Sequence, residues 1–455
     1  MTHERAAERF ARHVVGTRYE DLPVEAIAQA KVFILDTFGV GVAGSTADGA
    51  DALLAAGRGW GAGEEVAVWG RRARVPAVTA AFLNGFQAHC QEFDCVHERA
   101  VLHPMATLLS AAMAQAERAG GASGRDLLVA VAVGVDVAAS LGLASKAGLR
   151  FFRPATAGGF GATAAVARLA GFDAEAVVNA FGIQYAQTSG TMQPHVEGSI
   201  VLPIQIGFNA RAAMNACDLA RAGIVAPRDV FEGPFGYLPL FEGEWDLAPV
   251  LDQLGRVWRI AELSHKPYPA GRATHGGIEG LLVLRAENGF DRDAVERVTV
   301  VGPSLIHRLC GRAAIPAPNA NYARLCMAFI GAKVLQHGAI DLSHYRGAAL
   351  TDPATYALAQ RIVMEVDANP DPNALVPQEV VVRLKDGSER RWRCEAMLAN
   401  PVRRLTRAQH LAKFRRCWEF AEASLGADAR ERLIELVDDL ENLTDVRALT
   451  RLLAP

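Results

Sequence analysis

From Leu22 to about Leu263, apolar residues recur at helical spacing, and many of the residues between them are Ala or Gly. After Pro23 the run Ala26, Ile27, Ala30, Ile34 and Phe38 follows a 3.6-residue period. Ala77 to Ala88, Ala111 to Met113, Leu127 to Leu143, Ala162 to Leu169 and Gly207 to Leu219 continue it. Gly121, Gly171 and Gly223 sit just past helical stretches, where a left-handed cap is wanted. More than half the chain is thereby committed to helices. Their small residues predict pairs packed closely and deep inside one domain.

Near residue 265 the period changes. Val298 to Val301 reads as a strand. Glu379–Leu384 and Glu389–Cys394 flank Lys385-Asp386-Gly387-Ser388, and Asp-Gly is a preferred hairpin turn. Val363 to Val366 adds a strand, and helices at 274–287 and 323–337 cover the sheet. Residues 265–397 therefore read as a smaller α+β domain. From Thr406 the helical pattern returns with Phe414, Trp418, Phe420 and Leu433, and this tail rejoins the first helices. The fold class is mainly α, with a helical domain from residues 1–264 and 398–455.

Two clusters carry the chemistry. Residues 89–103 hold His89, Glu92, Asp94, His97, Glu98 and His103, more ionisable groups than a core tolerates without a purpose. Pro104 opens an apolar helix and makes His103 its N-cap, where the helix dipole favours an anion. The competing reading is a solvated loop with a capping His. The second cluster runs from His265 to Gly277 and holds Lys266, Tyr268, Arg272 and His275. Its prolines make it rigid, and Thr274 caps the helix that begins at His275. Lys266 and Arg272 are suited to clamp carboxylates; the alternative is a basic hinge between domains. Because the cluster falls where the fold changes, a cleft is favoured.

Other functions find less support. The net charge is −3 over 455 residues, with no basic run or array of stacking aromatics, so no nucleic-acid partner is expected. The N-terminus has no signal-peptide core, and no uninterrupted apolar run is read as long enough to span a membrane. Seven scattered cysteines read as reduced thiols of a cytoplasmic protein. His89, Asp94, His97 and His103 include metal-ligand types, yet no tight His-x-x-x-His or Cys-x-x-Cys spacing occurs, and no metal is expected. Gly158-Gly159-Phe160-Gly161-Ala162-Thr163-Ala164 imitates a dinucleotide loop but follows no clear strand, so helix packing accounts for it better.

The sequence also resembles the MmgE/PrpD family over nearly its whole length. The resemblance rests on Leu35-Asp36-Thr37-Phe38-Gly39-Val40, Asn84 to His89, Asp94 to Pro104, Thr156-Ala157-Gly158 and Lys266-Pro267-Tyr268-Pro269. It implies a helical domain built from both chain ends, with residues 265–397 as an inserted α+β lid. It further implies a homodimer, no redox cofactor, a cytosolic or organellar setting, and a small di- or tricarboxylate substrate losing a proton next to a carboxylate. Departures occur at Glu92, Cys95 and Val96, at Arg153 where a His is common, at Leu202–Gln205 where dehydratase-like members carry Lys and His, and at Phe329 in place of a Tyr.

On this reading His103 is the leading base or acid. Asp94 orients an imidazole, His97 is the second proton-transfer group, and Lys266 and His275 stabilise the developing charge. Arg272, Tyr268, Arg153, Gln205, His195 and Glu92 are the substrate-contacting candidates. The expected activity is a lyase of the 2-methylcitrate dehydratase kind. An isomerase epimerising a dicarboxylate such as iminodisuccinate is the alternative, and a non-catalytic polycarboxylate-binding protein the second.

Overall fold

A computed structural model describes residues 4–454 and shows a mainly helical protein. Prolines set many helix starts. Pro23 and Pro76 precede the helices Val24–Gly44 and Ala77–His89, and Pro104 and Pro154 lie in the first turns of Pro104–Arg118 and Arg153–Leu169. A proline there loses no helical hydrogen bond, because the first amides have no partner within the helix. Ser123 starts Gly124–Ala144 differently, its hydroxyl accepting from the Asp126 amide at 3.1 Å.

Glycines let these helices touch. Gly134 and Gly161 face each other, and a Cβ on Gly161 would lie 2.5 Å from the Gly134 carbonyl oxygen. Gly207 of the Val201–Arg221 helix meets Ala77–His89 similarly, with the Phe82 carbonyl oxygen 2.4 Å from where its Cβ would be. The glycine-rich stretch 158–164 is the interior of the single helix Arg153–Leu169, its backbone turned into the helix and its small faces into neighbours.

Four strands form one sheet in the order 362–366, 295–302, 378–384, 389–394. Val295–Gly302 runs parallel to Ile362–Val366 and antiparallel to Gln378–Leu384. The hairpin to Glu389–Cys394 turns through Gly387 at φ 85°, a backbone conformation that suits a residue without a Cβ. Alternate residues Val298, Val300, Val380 and Val382 point inward against Ile278, Leu281, Ile330 and Val334 of the helices His275–Asn288 and Met327–His337. This second apolar core draws on residues 270–384; the larger one is built mainly from the earlier helices and the tail, joined by Leu305, Ile306 and Cys310 of the intervening chain.

The tail helix Arg407–Trp418 lies against Val24–Gly44, with the Phe414 ring over Gly39. All seven cysteines are buried and unpaired. One sequence expectation is corrected: Val24–Gly44 and Gly124–Ala144 are each long and apolar enough to cross a membrane. Their apolar surface is spent inside the protein, 94% of the more apolar window of Gly124–Ala144 being buried.

Candidate active site

The two ionisable clusters, about 170 residues apart in sequence, meet side by side. Val96 and Ser264 exchange backbone hydrogen bonds of 3.0 and 2.8 Å. Lys266 Nζ donates to Glu92 Oε2 at 2.9 Å and to the Glu92 carbonyl at 3.1 Å. Arg272 donates to Glu98 Oε1 at 2.7 and 3.0 Å. Between the clusters lies a cavity. Its polar walls are His89, Glu92, His103, His195 and Arg272, and most of the remainder is apolar, including Val96, Phe152, Leu202 and Leu325. A largely apolar pocket with a few converging polar groups is the usual form of a small-molecule site.

Asp94 is its buried anchor. His89 Nδ1 donates to both Asp94 oxygens, at 3.2 and 3.0 Å. His103 Nδ1 lies 3.4 Å from Asp94 Oδ2, close enough to pair but poorly aligned for a hydrogen bond. Lys266 Nζ is 3.9 Å from Asp94 Oδ1. His103 is the N-cap residue of Pro104–Arg118, yet its side chain makes no capping bond. With Nδ1 turned to Asp94, His103 Nε2 is the ring nitrogen left for the cavity. Glu92 and Val101, both on the cavity wall, have φ of 50° and 49°. That conformation costs a non-glycine residue about 1–3 kcal/mol, most of all a β-branched one, and strain of this kind gathers at functional sites.

The two imidazoles on Asp94 are driven apart. Burial disfavours the charged form of His89, but the Asp94 and Glu92 carboxylates outweigh it and raise its pKa above the ordinary 6.5. Burial and the Lys266 charge lower that of His103. Burial would raise both carboxyls, but His89 and His103 hold Asp94 well below its usual range, and Lys266 with the same imidazoles holds Glu92 at about 2. One imidazole thus favours the proton and its neighbour gives it up, as an acid and base pair requires.

The remaining sequence candidates divide. His195 lies on the cavity wall, with Nδ1 accepting from Arg312 Nη2 at 3.1 Å. His97 does not reach the cavity. Its Nε2 bonds Glu262 Oε2 at 2.9 Å, and its Nδ1 accepts from the Ala100 amide at 3.2 Å. The imidazole beside Asp94 and His103 is instead His89, which the sequence reading gave no catalytic role. His275 bonds Arg272 Nη1 and the Ala270 carbonyl, both at 3.2 Å, and burial with the Arg272 charge holds it neutral. Tyr268 packs on His275 with ring centroids 5.3 Å apart, outside the cavity wall.

Arg153, which stands where the family often has His, is consumed by a buried pair with Glu242 at 2.7 Å and by the Ala100 carbonyl at 2.7 Å. Gln205 grips the Thr191 backbone with both amide atoms, at 2.6 and 3.1 Å, and so holds the turn that leads to Met192 and His195. Phe329 lies outside the cavity wall, packed against Tyr345.

His89, Asp94 and His103 place three ligand atoms within 4.8 Å of one another, as do Asp36, His265 and His410. In each group an ammonium already serves the carboxylate: Lys266 at 3.9 Å from Asp94, and Lys413 at 2.6 Å from Asp36. A cation would have to compete with it.

Buried neutral histidines make stability fall in acid. Burial and Arg312 lower His195 to about 4, and burial and His265 lower His410 to about 3. Below 6.5 the unfolded chain binds protons that these folded rings refuse, so stability falls as pH drops from 6.5 toward 4 and then 3. Glu92 and Glu262, both at about 2, add a loss below 4.5. His89 acts oppositely, its contribution being complete below 6.5 and lost as pH rises through its raised value. We expect the melting temperature at pH 4.5 to lie about 5–10 °C below that at pH 7.5. Scanning calorimetry across this range checks it, and a flat profile would contradict the burial argument.

Residues 8–250 match the MmgE/PrpD N-terminal domain and residues 268–442 the MmgE/PrpD C-terminal domain, so this chain belongs to the MmgE/PrpD family. It is similar to the cis-aconitate decarboxylase of Mus musculus, 27% identical over 477 aligned residues that cover 100% of this chain and 94% of the relative. The Homo sapiens cis-aconitate decarboxylase is 26% identical over 465 residues, covering 98% and 94%. The cis-aconitate decarboxylase-like protein oryM of Aspergillus oryzae is 28% identical over 469 residues, covering 97% and 95%.

Proposed function

We propose that this protein is a lyase that decarboxylates a small unsaturated tricarboxylate of the cis-aconitate class. The observation that carries this reading is the His89–Asp94–His103 arrangement on a mostly apolar cavity. The likeness to cis-aconitate decarboxylases along the full chain supports the substrate class.

The chemistry follows from charge. When the carboxylate on the allylic carbon leaves as CO2, its bonding electron pair spreads across the double bond to the carbon beside a second carboxylate. A proton delivered there completes the product, so one proton is consumed and one CO2 released. An imidazole that favours its proton and faces the cavity is the natural donor, and His89 fits that role. His103, biased to the neutral form, passes a proton through the same Asp94-centred group. The apolar walls exclude water that would solvate the departing carboxylate.

A second reading rests on the same pair. Opposed imidazoles also supply the base and the acid that elimination of water needs, as in 2-methylcitrate dehydration. Proton NMR in deuterium oxide with cis-aconitate, 2-methylcitrate, citrate and iminodisuccinate separates the two. New terminal-vinyl signals with CO2 release from cis-aconitate are expected. New olefinic signals from 2-methylcitrate or citrate without CO2 would replace decarboxylation by dehydration. No change with any of the four would refute both.

A further inference from the structure

The cations around the cavity are not equally available. Lys266 is neutralised by Glu92 at 2.9 Å and Arg272 by Glu98 at 2.7 Å. Arg312 has no carboxylate within ion-pair distance among the described residues, and its Nη1 is buried with no hydrogen-bond acceptor. Arg312 as a whole is half-buried, and a guanidinium nitrogen enclosed without any acceptor is uncommon, because desolvated charge is costly unless it is met. Arg312 is held in place by other means. Its guanidinium lies 5.2 Å from the Tyr322 ring centroid, and its carbonyl accepts from Cys326 Sγ at 3.6 Å. Its Nη2 donates to His195 Nδ1 at 3.1 Å and to the His195 carbonyl. That bond fixes the His195 tautomer: Nδ1 accepts, so the ring proton sits on Nε2. His195 is on the cavity wall, as are Leu309 and Cys310, while Arg312 stands behind His195 and off the wall.

We propose that Arg312 and His195 form the recognition site for one substrate carboxylate, with His195 Nε2 donating to it and Arg312, behind the ring, fixing that tautomer and supplying the positive charge. This rests on the reading that the cavity takes a polycarboxylate. Burial and the Arg312 charge keep His195 neutral down to about pH 4, so it neither repels the guanidinium nor loses its acceptor nitrogen at working pH. Glu92 faces the same space, but Lys266 compensates it. Arg312 follows the helix Ser304–Cys310, and His195 belongs to the short helix Gln193–Glu197. The pair therefore exists only while those two segments are together, and a bound carboxylate holds them so.

The test uses the full chain as wild type, Arg312→Ala and Arg312→Lys, with tricarballylate, a saturated tricarboxylate, in calorimetry and cis-aconitate in steady-state assays. Arg312→Ala is expected to weaken tricarballylate on the order of 10- to 100-fold and to raise KM for cis-aconitate similarly, with kcat within about threefold. Arg312→Lys, which keeps the charge, should recover most of the binding. Binding by Arg312→Ala within twofold of wild type overturns the proposal and leaves the decarboxylase reading standing. Arg312-dependent binding of tricarballylate without turnover of cis-aconitate does the reverse. A wild type that neither binds tricarballylate nor consumes cis-aconitate overturns both. Melting curves exclude misfolding as the cause of any loss, and unfolding of Arg312→Ala and Arg312→Lys alike would assign Arg312 to structure and overturn the clamp.

Discussion

Replacing His103 by Asn is expected to lower kcat for cis-aconitate by about 10²- to 10⁴-fold, the range that a lost proton-transfer group costs. Asn fills a similar volume and keeps polar atoms near Asp94, but it cannot titrate. The fold should survive because the His103 side chain makes no capping bond for Pro104–Arg118, so its loss opens no helix end. His89→Asn should reduce kcat comparably, because the two imidazoles act through one carboxylate and groups acting as a unit do not contribute additively. The double variant should then lose little more than either single one. Rates measured beside unfolding curves decide it: a His103→Asn enzyme within tenfold of wild type would remove His103 from the chemistry.

The sequence made the elements readable because their signals are local. A proline at a helix start, Asp-Gly in a hairpin and Gly at a packing face each act within a few residues. The N-cap position of His103 was legible for that reason. Where side chains point was less so. Val96 and His97 are extended and bridged to Ser264 and Leu102, ahead of a turn at 98–101, and in extended chain successive side chains face opposite ways. Val96 takes the cavity wall, so His97 is turned to Glu262, a residue 165 positions away. Arg153 meets Glu242 across 89 positions and Arg272 meets Glu98 across 174. A cation's availability depends on such partners, and they are set by tertiary packing that no local pattern encodes. Arg312 was missed for the converse reason: its significance lies in a missing partner.

The second large effect is expected outside the cavity wall. Lys413→Met should destabilise the protein by about 3–5 kcal/mol, the cost of stranding a buried charge. Lys413 Nζ lies 2.6 Å from Asp36 Oδ1, and both side chains are about 1% exposed. Asp36 belongs to Val24–Gly44 and Lys413 to the tail helix, so this bond ties the end of the chain to its beginning. Burial would raise the Asp36 carboxyl, but Lys413, with His265 and His410, holds it well below the usual range. Without Lys413 the nearest candidate for the charge is His265, whose Nε2 is 3.5 Å from Asp36 Oδ1. Burial now holds His265 below its ordinary pKa, and the unscreened carboxylate would draw it up. Lowering the pH should therefore recover part of the lost stability in Lys413→Met while it weakens the wild type. Asp36→Leu combined with Lys413→Met should be less destabilised than Lys413→Met alone, because no charge is left unmet. Denaturant unfolding at pH 5.5 and 7.5 tests all three statements, and a loss below about 1 kcal/mol at both would show the pair to be dispensable. Lys413 also donates to the Phe93 carbonyl at 2.7 Å and lies 4.3 Å from the Phe93 ring centroid, immediately before Asp94. The same substitution should thus loosen the Asp94 loop and lower kcat even in the folded fraction, which connects the tail to the site through one ammonium group.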